Sequence, residues 1–180
     1  YNTSDEVRVM DVTIRLVASY GAFTLGKTKE AGPIAVRMND ELVVGKTGRF
    51  ETPDGINEDE IWMKRAPWCD YCGTAEGHRC GITIMDCPDN FGYPTYWHSR
   101  NYGLMAPNNS FIPEPRRIEA GDEAKWTFRV VIHNGDTRSA EISERYADFV
   151  AMPLVADRDQ DEVKVLWPVD PERAKIPFKL

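Results

Sequence analysis

From Lys125 to Ile132 the chain alternates strictly: Trp126, Phe128, Val130 and Ile132 are separated by Thr127, Arg129 and Val131. Successive side chains of an extended strand point to opposite faces, so this pattern gives a sheet with one strongly apolar face. The same period appears between Val9 and Leu16, where Met10, Val12, Ile14 and Leu16 alternate with Asp11, Thr13 and Arg15. Both read as β-strands packed on one side. Ile34–Met38 and Glu41–Val44 read as short strands around an Asn39-Asp40 turn. Ile61–Cys72 and Cys80–Met85 can pair as a hairpin around Gly73-Thr-Ala-Glu-Gly-His78. Lys46–Asp59, rich in Gly, Pro, Asn and Asp, reads as a long loop. The one helical pattern runs from Arg138 to Val150, where Ile142, Tyr146 and Phe149 can share a face.

Many short strands separated by turn signals predict an all-β fold, an antiparallel β-sandwich with one short helix near 138–150. Trp126, Phe128 and Val130, or their alternates, are its expected core. The sandwich domain is assigned to residues 1–152, with 153–180 as an extension carrying a charged connector, a VKVLW strand and a Pro-rich tail.

Charge narrows the partners. The 180-residue chain carries a net charge of −7 with no basic block, which argues against nucleic acid or an anionic membrane. No apolar run approaches the roughly 20 residues of a membrane span. The opening YNTSDEVRV reads as a mature or excised N-terminus rather than a signal peptide. Two N-x-[ST] sequons, at Asn2 and Asn108, matter only in a glycosylating host.

The stretch PTYWHSRNYGLMAPNNSF, residues 94–111, does not read as a packed strand, because it sets Tyr96, Trp97, His98, Arg100 and Tyr102 almost side by side. Flat rings beside His, Arg and Asn are the mixture that binds a polar ligand such as a sugar. Alternation would send His98, Arg100 and Tyr102 to one face and Trp97 to the other. The competing reading has Trp97 and Tyr102 filling the core while His98 and Arg100 bond to loop carbonyls. His133 reads as a turn-flanking residue and His78 as a solvated hairpin tip.

The segment from Ile61 to Phe111 resembles the PmoA-like family of bacterial proteins. The matching pieces are Trp62-x-Lys64, Ala66-Pro-Trp68, Asp70-Tyr-x-Gly73, Gly81-Ile82, Pro88-x-Asn90 and Pro94-Thr-Tyr-Trp-His-x-Arg-x-Tyr-Gly103, with Ala35-Val-Arg37 upstream. The likeness spans roughly residues 10–150. It implies a sandwich similar to the galactose-mutarotase supersandwich and a carbohydrate-binding or carbohydrate-processing role. Methane oxidation, which the family label suggests, is discarded because this chain cannot span a bilayer. The resemblance implies His98 as the group protonating a ring or leaving oxygen, with Asp70 or Glu60 as base. It implies Trp62, Lys64, Trp68, Asn90, Tyr96, Arg100 and Tyr102 as ligand contacts. The chain departs from the family at Asp86-Cys87-Pro88, where members commonly carry His in place of Cys87. It also begins inside the usual family domain, so a sandwich incomplete at the N-terminus is expected, with a homo-oligomer or a second chain completing it.

All four cysteines, Cys69, Cys72, Cys80 and Cys87, fall within nineteen residues. Only one C-x2-C pair exists, whereas a zinc site usually wants two. A hairpin centred on Ala75–Gly77 would place Cys72 opposite Cys80, within reach of a cross-strand disulfide. Buried reduced thiols and a metal are the alternatives. The sequence calls for no cofactor, and an extracellular or periplasmic setting is favoured. Two function classes follow: a carbohydrate-active protein with its cleft at 94–111, or a module that assembles through open sheet edges.

Overall fold

The computed structural model describes residues 7–29, 32–55, 61–109 and 115–151. The VKVLW segment and the Pro-rich tail lie outside the described residues. The chain folds as β1 (Val7–Val17), β2 (Phe23–Leu25), β3 (Val36–Arg37), β4 (Arg49–Glu51), β5 (Trp68–Ala75), β6 (His78–Asp86), β7 (Tyr96–Trp97), β8 (Leu104–Met105), β9 (Pro107–Asn108), β10 (Arg116–Ile118), β11 (Glu123–Asn134) and one helix, α1 (Ile142–Ala151). Among the described residues it is an all-β fold with antiparallel pairing and a single short helix. No helix among the described residues is long and apolar enough to cross a membrane.

The two strongly alternating segments pair with each other. β1 runs antiparallel to β11 along its whole length, from Val7 opposite His133 to Val17 opposite Glu123. They open a five-stranded sheet of order β1-β11-β6-β5-β4. Its two faces do different work. Phe50, Cys69, Tyr71, Ile84, Trp126, Phe128 and Val130 belong to a core shared with Trp97, Met105 and Ile118, which come from three two-stranded ladders: β7-β9, β3-β8 and β2-β10. The expected core residues of β11 are therefore buried there. The opposite face offers Val7, Val9, Trp68, Met85 and Val131 to Ile142 and Phe149 of α1.

Three expectations fail locally. Glu41–Val44 is not a strand, because Asn39 accepts a hydrogen bond from the Glu41 backbone N–H and starts a 3-10 turn at Asp40–Leu42. The loop at 46–59 contains β4, whose central Phe50 is fully buried against Tyr71 with ring centroids 4.1 Å apart. The helix begins at Ile142, after a turn that includes Arg138.

A further departure concerns the cysteines. The β5–β6 hairpin closes through a two-residue turn in which Glu76 and Gly77 both have positive φ, 50° and 77°. That is the mirror-image turn that matches strand twist. It places Cys72 opposite Gly81 and Cys80 opposite Gly73, one residue away from the expected register. A one-residue offset sends a side chain to the other face, so Cys72 and Cys80 face away from each other. All four cysteines are free. Burial pushes the Cys69, Cys72 and Cys87 thiols up, which leaves them protonated and unreactive.

Candidate functional site

The candidate residues separate into a buried set and an exposed set. Asp70 lies on the α1 side of β5 and is fully buried. Its Oδ1 accepts from Thr83 Oγ1 at 2.8 Å and from His133 Nε2 at 3.0 Å, and its Oδ2 accepts from Thr137 Oγ1 at 2.7 Å. The Nδ1 of His133 faces the Asn134 carbonyl at 3.1 Å. Both ring nitrogens therefore meet oxygen acceptors, which only the doubly protonated imidazolium can satisfy. Burial opposes that charge, but the Asp70 hydrogen bond and the attraction of its carboxylate outweigh burial and raise the His133 pKa. Thr137 Oγ1 also approaches Glu51 Oε2 at 3.0 Å, and Glu51 pairs with Arg49 at 3.3 Å. Two acids and two bases are thus tied together on one end of the sheet.

This arrangement depends on Gly81, which stands opposite both Cys72 and His133. A Cβ at Gly81 would lie 2.7 Å from Cys72 Cβ and from the His133 ring. The imidazole occupies the space where a side chain would be.

His98 does not join Asp70. Its ring Nδ1 meets the Lys29 carbonyl, its backbone N–H donates to Ala106 at 2.8 Å, and the residue is only 4% exposed. The 94–111 stretch is not one strand. It pairs briefly at Tyr96–Trp97, then turns at Arg100–Gly103, where Gly103 takes φ 94°. The turn ends the alternation, so His98 is inside while Arg100 and Tyr102 emerge. Trp97 is fully buried and its Nε1 donates to the Ala66 carbonyl at 3.0 Å. Asp70 points away from the layer that carries Trp97, because its neighbours Cys69 and Tyr71 face that layer.

Asn90 is buried with its amide committed. Its Nδ2 donates to Asp86 Oδ1 at 2.7 Å and to the Thr127 carbonyl at 2.6 Å, while its Oδ1 accepts from the Thr127 N–H at 2.7 Å. Asp86 also accepts from the Thr95 N–H at 2.9 Å. Burial pushes its carboxyl up to about 6, against the Asn90 and Thr95 hydrogen bonds. Trp68 is buried beneath α1. Asn108 of the second sequon is also buried, with its Nδ2 on the Thr28 carbonyl at 3.0 Å. Glu60 lies outside the described residues.

The exposed set is brought together by backbone pairing. Trp97 N–H donates to the Lys64 carbonyl, Met63 N–H donates to the Trp97 carbonyl, and Met38 N–H donates to the Gly103 carbonyl. These bonds bring the segments of Trp62, Lys64, Arg100, Tyr102 and Arg37 alongside one another. The Arg100 guanidinium lies 4.5 Å from the Trp62 ring centroid and that of Arg37 lies 4.7 Å from Tyr102. Trp62 remains 38% exposed and Tyr102 47%. Tyr96, half-buried, carries Arg65 at 5.3 Å. Arg65 is held by the Pro94 and Tyr93 carbonyls at 2.8 and 2.9 Å. Beside Arg37 opens a shallow pocket of about 190 Å3 lined by Met38, Asn39, Cys80, Ile82 and Ile132 among others.

The sequence reading missed Arg37 of the exposed set and His133, the buried partner of Asp70. Strand parity could have flagged His133, which falls on the face opposite Trp126, Phe128 and Val130. Nothing local marks Arg37, whose ring partner is 65 residues away. Among the described residues no group of three or more His, Cys, Asp or Glu is disposed to hold a metal ion. A family model described as "Family of unknown function (DUF6807)" matches residues 1–147. No curated protein and no solved structure matches the chain.

Proposed function

The chain belongs to this DUF6807 family, and within it we propose that the protein binds a carbohydrate through the exposed face of Trp62, Arg100, Tyr102 and Arg37. The observation that carries the reading is the pair of solvent-exposed rings, each with a guanidinium over it at 4.5 to 4.7 Å. A ring held flat in this way offers apolar surface to the C–H face of a sugar, while the guanidinium N–H groups reach its oxygens. The resemblance of residues 61–111 to PmoA-like proteins supports the same ligand class. In this reading the three two-stranded ladders stand in for the second sheet of a sandwich and carry the binding face on their outer side.

The geometry favours binding over turnover. A catalytic version requires His98 to leave the Lys29 carbonyl and meet a substrate, with a base other than Asp70, which is sealed on the far face. Calorimetric titration of neutral and acidic polysaccharides into the protein tests the reading. Trp62→Ala and Tyr102→Ala should each weaken binding about tenfold or more, as loss of a stacked ring does. Binding undiminished in both variants sinks the proposal.

A second reading has one observation of its own. β1 ends the five-stranded sheet among the described residues, and Met10, Leu16 and Val17 on it are exposed. Exposed apolar strands are surfaces for assembly. Light scattering decides it: a self-associating protein should become monomeric on Leu16→Lys, and a wild-type monomer at high concentration removes this reading.

A further inference from the structure

We infer that the ligand of the Trp62–Tyr102 face is an acidic glycan whose carboxylates are held by Arg37 and Arg100; this rests on the carbohydrate reading above and narrows it. The first argument is how the described arginines are used. Arg15, Arg49, Arg79, Arg117 and Arg129 each sit in an ion pair with a carboxylate. Arg65 and Arg145 donate to backbone carbonyls. Arg37 and Arg100 do neither, and each lies on an aromatic ring instead. The chain has 29 acidic against 22 basic residues. Partners are therefore plentiful, yet neither cation, Arg37 exposed and Arg100 half-buried, meets a carboxylate among the described residues. Among the described residues Arg8, Arg116 and Arg138 also lack a carboxylate, and Arg116 too lies over a ring, that of Phe91 at 4.1 Å. What distinguishes Arg37 and Arg100 is that one tight turn joins them. Arg100 opens the turn, and Tyr102, on which Arg37 lies, is inside it, closed by the Gly103 N–H on the Arg100 carbonyl at 3.0 Å.

The second argument is donor chemistry. A guanidinium carries five N–H donors and no acceptor. Two guanidinium groups make a face that gives hydrogen bonds and accepts few. A neutral sugar offers hydroxyls that both donate and accept, so such a face leaves its donors unmatched. A carboxylate accepts only, and its planar pair of oxygens fits the guanidinium edge in bidentate fashion. Stacking on Trp62 and Tyr102 holds each guanidinium plane in place before binding, which lowers the entropy lost on docking. Of the two acids on the 3-10 turn that follows Arg37, Asp40 and Glu41, Glu41 is engaged by the Glu76 N–H at 2.6 Å.

The test uses the whole protein and three probes: polygalacturonate, the same polymer with its carboxyls reduced to alcohols, and dextran sulfate. The expected result is binding to polygalacturonate, at least about tenfold weaker binding to the reduced polymer, and loss of affinity between about 50 and 500 mM salt. Arg37→Gln and Arg100→Gln should each lower polygalacturonate affinity about tenfold. Arg→Lys at either position should recover only part, because charge returns without the bidentate edge. Unchanged thermal melting of these variants shows that folding is not the cause. Binding to neither polymer overturns the carbohydrate reading itself. Equal binding to both leaves that reading standing and overturns the acidic one. Preference for dextran sulfate, or for a single-stranded oligonucleotide added as a fourth probe, overturns the carboxylate assignment.

Discussion

Asp70 and Arg100 each carry a full charge, and the fold handles them in opposite ways. Asp70 has no contact with solvent and receives three hydrogen bonds, from Thr83, His133 and Thr137. Arg100 keeps solvent contact, has no acid against it among the described residues, and is steadied by the Trp62 ring. A buried charge without partners costs several kcal/mol, so the interior position must be surrounded by complementary groups. An exposed charge carries no such cost and can wait for a ligand. The contrast separates residues that build the fold from residues able to recognise something outside it. It also explains why a His–Asp pair, so suggestive of catalysis, here belongs to the architecture.

The sharpest way to break this division is Gly81→Ala. The added Cβ would sit 2.7 Å from Cys72 and His133, inside a region with no room to shift. We expect a loss of about 4 kcal/mol or more, or failure to fold, in a urea melt. A variant as stable as wild type would show that the imidazole is not held over the glycine. Next comes His133→Ala, which strands the Asp70 carboxylate and should cost about 3–5 kcal/mol. Adding Asp70→Asn to it should restore part of the loss, since the orphaned charge is gone. If the double variant is the weaker one, the pair is not the unit argued for here.

Acidity sharpens the comparison further. Asp86 titrates at about 6 against an ordinary 3.8, and His133 is raised above 6.5. Both groups bind protons more tightly folded than unfolded. Their contribution is complete below the unfolded pKa and is lost as pH rises through the folded one. Stability should therefore fall by about 3 kcal/mol between pH ~4 and ~6 on account of Asp86, then further above pH ~6.5 on account of His133. Melts across this range check the slope, and Asp86→Asn should flatten its lower part. A flat or rising profile contradicts the assignment.

The exposed region predicts the smallest changes in stability. Trp62→Ala should alter it by about 0.5 kcal/mol or less while weakening the proposed glycan binding about tenfold or more. At the bottom of the scale, Arg15→Ala removes an exposed pair with Glu123 at 2.6 Å and should cost under about 1 kcal/mol. A large loss from either variant would mean that the surface is part of the frame.

Much of the frame was legible in the residue pattern. The alternation of Val9–Leu16 and of Lys125–Ile132 sufficed to identify β1 and β11, because period two is a local property of extended backbone. The helix face of Ile142, Tyr146 and Phe149 was readable for the same reason. β4 escaped because three residues set among Gly, Pro and Asp carry no period, and it is packing across the sheet, on Tyr71, that makes Phe50 a core residue. In the 94–111 stretch, the single face expected for His98, Arg100 and Tyr102 breaks up, because a turn that alternation could not reveal leaves His98 buried on a loop carbonyl while Arg100 and Tyr102 reach solvent.

Alone, then, the sequence determined the fold class, the strong strands and the clustering of rings and cations in one segment, since each is written in neighbouring residues. Tertiary structure decided what those residues meet. A two-residue turn set the hairpin register and thereby kept Cys72 from Cys80. Pairing between distant segments gave Asp70 to His133 rather than to His98, and laid Arg37 on Tyr102. Register and long-range pairing depend on the packing of the whole sheet, where a shift of one residue exchanges every inside for an outside.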